Sequence, residues 1–99
     1  MLNKEQKQFL RALAHNLKTI IWVGQKGISE NVITEINNAL DHHELVKIKI
    51  RVGDRELRDQ TAAEIGKTTA AETVQKTGNT LVLFRRNKKQ PKINLPAKK

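Results

Sequence analysis

The 99-residue chain has no cysteine and no tyrosine, and only two prolines, two phenylalanines and one tryptophan. Without cysteine, a disulfide scaffold, a thiolate zinc site and a thiol nucleophile are all excluded. The absence also fits a cytoplasmic protein. Long hydrophobic runs are missing as well. Ile20-Ile21-Trp22-Val23 and Leu81-Val82-Leu83-Phe84 are the longest, far short of the roughly 20 residues a membrane span needs. The first residues, Met1-Leu2-Asn3-Lys4-Glu5-Gln6-Lys7, carry no apolar signal core. Phe9, Trp22 and Phe84 each sit in apolar surroundings and read as core. A platform of exposed aromatics, of the kind an RRM uses to stack bases, is therefore not expected.

Acid is scarce too. Lys+Arg number 19 against 10 Asp+Glu, a formal charge of +9. Residues 85–99 hold seven of the bases (Arg85, Arg86, Lys88, Lys89, Lys92, Lys98, Lys99) and no acid. Both prolines, Pro91 and Pro96, lie there, with only Ile93 and Leu95 to bury. That composition predicts one folded domain over residues 1–86 and a flexible basic arm over 87–99. Such an arm seeks polyanions, because neutralising phosphates releases condensed counterions.

The body reads as α-β-α-β-α-β-β. Phe9, Leu10, Leu13, Ala14 and Leu17 form the apolar stripe of a helix over 3–17, with Asn3 and Gln6 as a capping-box pair. Thr19–Val23 is short and β-branched, which predicts a buried central strand. Gly24-Gln25-Lys26-Gly27 follows, and Ser29 caps a second helix reaching about Asp41. Leu45–Val52 alternates strictly, with Val46, Ile48, Ile50 and Val52 on one face and Lys47, Lys49 and Arg51 on the other. Asp54 caps a third helix that buries Leu57, Ala62 and Ile65 and ends near Ile65–Thr68. Residues 72–77 and 80–86 flank Gly78-Asn79, a two-residue hairpin signal; the first arm reads as an edge strand and the second as internal. Together these predict a two-layer α/β or α+β fold with a mixed four-stranded sheet.

The glycine loop is the sharpest local feature. Two glycines three apart allow a tight turn and close approach to a ligand. The following helix start offers free N–H groups, and Lys26 adds a full charge at the apex. Its spacing does not fit a Walker loop or a dinucleotide fingerprint. It joins strand to helix, whereas the KH loop joins two helices. Asp41-His42-His43-Glu44 is read as histidines complementing a helix end rather than a metal site, and no nucleophilic or paired-carboxylate set stands out. No enzyme, cofactor, metal or small-molecule substrate is expected.

The glycine loop between strand and helix, the basic alternating strand, and Gly78-x-x-Leu81-Val82-Leu83-Phe84-Arg85-Arg86 together resemble a CRM domain. The resemblance is closest to the small stand-alone bacterial YhbY-type form and covers roughly residues 2–87. Phe84 stands where the family commonly has tyrosine, and Thr77 where it usually has an apolar residue. The resemblance implies a fold similar to the C-terminal domain of the third bacterial translation initiation factor. It also implies RNA binding with the glycine loop as a contact element, and association with precursors of the large ribosomal subunit. The RNA-binding residues expected are Gly24, Gln25, Lys26, Gly27, Lys47, Lys49, Arg51, Arg85, Arg86, Lys88 and Lys89. The alternative reading is a protein-interaction module whose basic tail holds RNA without specificity.

Overall fold

A computed structural model describes residues 2–24 and 27–96. The first helix, α1 (Lys4–His15), opens on a complete capping box. Gln6 N–H donates to Asn3 Oδ1 at 2.8 Å, and Asn3 N–H donates to Gln6 Oε1 at 3.1 Å. It is followed by β1 (Ile21–Val23), α2 (Glu30–His43), β2 (Leu45–Ile50), α3 (Arg55–Thr69), β3 (Glu72–Thr77) and β4 (Thr80–Phe84). The caps Ser29 and Asp54 each accept a backbone N–H of the helix they start, from Val32 and Glu56. The expected element order is present, and α3 continues through Gly66 to Thr69.

The four strands lie in the order β1-β2-β4-β3. β1 runs parallel to β2, while β4 is antiparallel to both of its neighbours. The mixed sheet is therefore as the sequence predicts, with β4 internal and β3 at an edge. Gly78, with φ of 58°, takes the left-handed conformation that the hairpin turn requires.

Alternation along each strand sorts the side chains into two separate cores. Val46, Ile48, Ile50, Leu81 and Leu83 join Ile36 and Leu40 of α2 and Ala62 and Ile65 of α3. The opposite face carries Leu45, Val82, Phe84 and Val74, against Leu10 and Ala14 of α1. Helices thus cover both faces, and α1 forms a partial third layer beyond the two-layer arrangement expected.

Three expectations are corrected. β1 is the other edge strand rather than a central one, and only its inward residues Ile21 and Val23 are buried. α1 packs on β2 and β3 rather than on β1, so Trp22 on the outward side is 51% exposed. The indole is therefore not core. Leu57 is also exposed, and α3 buries Thr61 in its place, the hydroxyl donating to the Leu57 carbonyl.

The segment expected to be a free arm returns to the body through residue 96. Ile93 and Leu95 pack on the α1-side core, and the Gln6 side-chain amide donates to the Pro96 carbonyl at 2.9 Å. Lys98 and Lys99 lie outside the described residues.

Candidate nucleic-acid interface

The carboxyl ends of β1 and β2 meet at one end of the sheet. Gly24 leaves β1 there, and the Gly27 N–H donates to the Gly24 carbonyl at 3.0 Å, turning the chain back within four residues. Gly27 has φ of 80°, a conformation that L side chains rarely adopt, and open space surrounds both glycines. The turn delivers the chain to the α2 start at Ser29. Gln25 and Lys26 lie outside the described residues. Arg51 abuts the loop, its N–H donating to the Val23 carbonyl at 2.7 Å, and its side chain is exposed.

Lys49 and Lys47 continue this basic surface down the outer face of β2. Lys49 lies beside Trp22 on β1 and Thr80 on β4 in the sheet register. The Lys47 ammonium reaches the carbonyls of Ala14 and Leu17, at 3.4 and 3.5 Å, so it also satisfies the end of α1. The outward positions of β1, β2 and β4 carry no acid. Seven of the ten acids instead lie on α2, α3 or the α3 cap, across the sheet. The glycine loop, Arg51, Lys49 and Lys47 are thus brought together as one cationic strip.

Arg85, Arg86, Lys88 and Lys89 are not part of it. β4 is antiparallel to β2, so its end lies beside the start of β2. A six-residue strand, roughly 17–20 Å, separates it from the loop. Both guanidiniums are bonded internally. Arg85 donates to Asn37 Oδ1, to the Thr69 carbonyl at the end of α3, and to Asp41 Oδ1, at 2.7–2.9 Å. Arg86 donates to both oxygens of Glu44 at 3.0 and 3.1 Å and to the Ile93 carbonyl at 2.9 Å. It also lies 5.6 Å from the centre of the Phe84 ring. Lys88 and Lys89 are exposed.

Glu44 is the residue that sequence reasoning missed. It closes α2 with φ of 63° and its side chain is fully buried. Besides Arg86, its carboxylate accepts the backbone N–H groups of Asn87 (2.6 Å), Lys92 (2.7 Å) and Ile93 (2.8 Å). Burial by itself raises the carboxyl pKa; those three amides, and then Arg86, outweigh it and hold the group below the usual glutamate range. The carboxylate therefore anchors the tail. Nothing in the sequence marks it, since its partners are mostly main-chain amides more than 40 positions away. Trp22, read from the sequence as core, is exposed; the signal for that is its place between two β-branched residues of a short strand, where alternation turns it away from Ile21 and Val23.

His42 Nδ1 lies 2.8 Å from the Asn38 carbonyl one turn back. Among the described residues, no helix is long and apolar enough to cross a membrane.

Comparison with known proteins agrees with this fold. The family model for the CRS1/YhbY (CRM) domain matches residues 2–85. A Haemophilus influenzae protein named RNA-binding protein is 44% identical over 97 residues, covering 98% of this chain and 97% of that one. The Bacillus subtilis protein named probable RNA-binding protein YqeI is 38% identical, covering 97% of this chain and all of its own. The solution structure of a Staphylococcus aureus protein, described as a candidate RNA-binding protein, superposes with a TM-score of 0.82 at 35% identity. That match covers 97% of this chain and 100% of the other. With nearly its whole folded body matched, the chain belongs to the CRS1/YhbY (CRM) domain family.

Proposed function

We propose that this protein is a non-catalytic RNA-binding protein that engages large-subunit ribosomal RNA, or its precursor particle, during ribosome assembly in the cytoplasm. The observation that carries RNA binding is the acid-free outer side of β1, β2 and β4. Lys47 and Lys49 continue there into Arg51 and the Gly24–Gly27 turn, while the acids cluster on the opposite helices. Relatives along the full chain bear RNA-binding names, which supports the same partner. The choice of ribosomal RNA rests on the resemblance to stand-alone bacterial family members.

In this reading Gly27 lets the backbone approach a phosphate closely, and Lys26, between the two glycines in sequence, supplies a charge. Lys47, Lys49 and Arg51 track the backbone onward. Lys88 and Lys89 add long-range attraction from the far end of the sheet. Arg85 and Arg86 act indirectly, by holding the β4 end and the tail in place. The alternative, a free polybasic tail on a protein-binding body, fits less well with a tail bonded to Glu44 and Gln6.

In-cell ultraviolet crosslinking, with sequencing of the attached RNA, tests the proposal. A discrete footprint on large-subunit ribosomal RNA, weakened by Lys26→Glu and by Lys49→Glu, is the expected result. A diffuse spread over many RNAs, unchanged by either substitution, refutes it.

A further inference from the structure

Four of the five large hydrophobic side chains exposed on the described molecule fall in one region. They are Leu13 and Leu17 at 39%, Ile20 at 45% and Trp22 at 51%. Ile20, immediately before β1, and Trp22 within it are two apart, and both are exposed while Ile21 and Val23 are buried. Leu13 and Leu17 border Ile20 across a groove of about 410 Å³ that also has Lys18 and Lys47 on its wall. Trp22 continues this floor outward and lies in register with Lys49 on the neighbouring strand. An aromatic ring and aliphatic floor, with a cation beside each, is an unusual surface to leave open to water.

Its charge decides the kind of occupant. The outward positions of β1, β2 and β4 hold two lysines, Lys47 and Lys49 of β2, and no acid, so the patch favours a partner that is both flat and anionic. An unpaired nucleotide is both, because its base has a π-face and its phosphate a charge. A base inside an A-form duplex cannot offer that face. We propose that this surface is a second contact site, distinct from the glycine loop, at which Trp22 stacks on an unpaired RNA base. Lys49 and Lys47 hold the flanking phosphates, and Ile20 with Leu17 carries a neighbouring base. The inference rests on the RNA-binding reading above and adds to it a preference for single-stranded segments beside structured RNA. Stacking of this kind is tolerant of sequence, so the site selects strandedness rather than base identity.

The test uses the chain's own spectroscopy. Trp22 is the only tryptophan and there is no tyrosine, so indole emission reports this position alone. The full chain is titrated with an end-labelled single-stranded oligoribonucleotide and with a blunt duplex of the same sequence. Label anisotropy and indole emission are followed together. Single-stranded RNA is expected to quench the indole as it binds. Trp22→Ala is expected to weaken single-strand binding roughly tenfold or more, with duplex binding changed by less than about twofold and Trp22→Phe restoring most of the loss. Because Trp22 is exposed on an edge strand, both variants keep the buried core intact. If single-stranded RNA raises the anisotropy while the indole is unmoved, or Trp22→Ala binds it like the parent chain, the stacking site is overturned and RNA binding stands. The patch then belongs to a protein contact. If neither RNA raises the anisotropy, both readings fall.

Discussion

Replacing Glu44 by Gln removes one charge from the interior while keeping nearly the same shape. The carboxylate accepts bonds on both oxygens: Lys92 and Ile93 amides reach Oε1, Asn87 reaches Oε2, and Arg86 reaches both. A glutamine amide can keep only one of those oxygens. If the oxygen faces Lys92 and Ile93, the –NH2 group points at the Asn87 N–H, setting donor against donor. An unsatisfied buried amide costs about 1–3 kcal/mol, and loss of a charge-assisted bond to Arg86 costs about 1.5–3 kcal/mol. The Arg86 side chain is 32% exposed, so water recovers part of the second figure. The net expectation is about 3 kcal/mol, a large share of the 5–15 kcal/mol typical of a domain. For a chain near 100 residues that lowers the melting temperature by about 12–24 °C. Circular dichroism melts measure it, and limited proteolysis within 87–96 should show faster cleavage in the variant. A variant melting within about 3 °C of the parent, with the tail equally protected, refutes the carboxylate as the anchor.

Acid should reproduce that loss in the parent chain. Because the folded-state pKa of Glu44 is depressed, its contribution is complete above the ordinary glutamate pKa of about 4.3 and is lost as the pH falls below it; Glu44→Gln should therefore show a flatter acid limb in denaturant-midpoint measurements. Arg85→Ala breaks bonds to α2 and to the α3 end and should cost about 2 kcal/mol in chemical denaturation, while RNA affinity of the folded variant stays within about threefold. Gly27→Ala meets no neighbour at its Cβ, so only the backbone conformation at φ of 80° is penalised; about 1–2 kcal/mol of stability should be lost, and an unchanged melting temperature would show that the turn relaxes freely. Deleting 87–99 removes five cations and should reduce the salt dependence of RNA binding, with a fall in stability because Glu44 loses its amide donors.

What could be read from the chain depended on how local the cause was. The alternation of Val46, Ile48 and Ile50 against Lys47 and Lys49 is a period-two signal, and the structure sends each set to its own face. Asn3 with Gln6, and Gly78 with Asn79, are short-range chemistry and appear as expected. The misreadings were all tertiary. Whether a three-residue strand is central depends on how many strands pair with it, and whether its outer side is buried depends on where α1 packs; no pattern within residues 19–23 contains either. Arg85 and Arg86 look identical to Lys88 and Lys89 in a charge count, yet only the first two meet helix ends and a buried carboxylate. Glu44 gave least warning, since an acid next to two histidines ordinarily sits in water.

The place of β4 in the sheet carries a consequence for how the protein comes to be folded. It is the last strand along the chain, yet it lies between β2 and β3 and joins them. Until residues 80–84 are available, β2 keeps one side unpaired and β3 has no neighbour at all. Leu81 and Leu83 are also missing from one core, and Val82 and Phe84 from the other. The parallel β1–β2 pair formed earlier is short and needs pairing across a helical crossover, which is slow. A nascent or truncated chain that stops before residue 80 is therefore expected to hold helices without a closed sheet, with an apolar strand edge exposed to other chains. Acquisition of the native state is therefore expected to be late and nearly all-or-none, triggered by a hairpin that arrives after the strands and helices it must join.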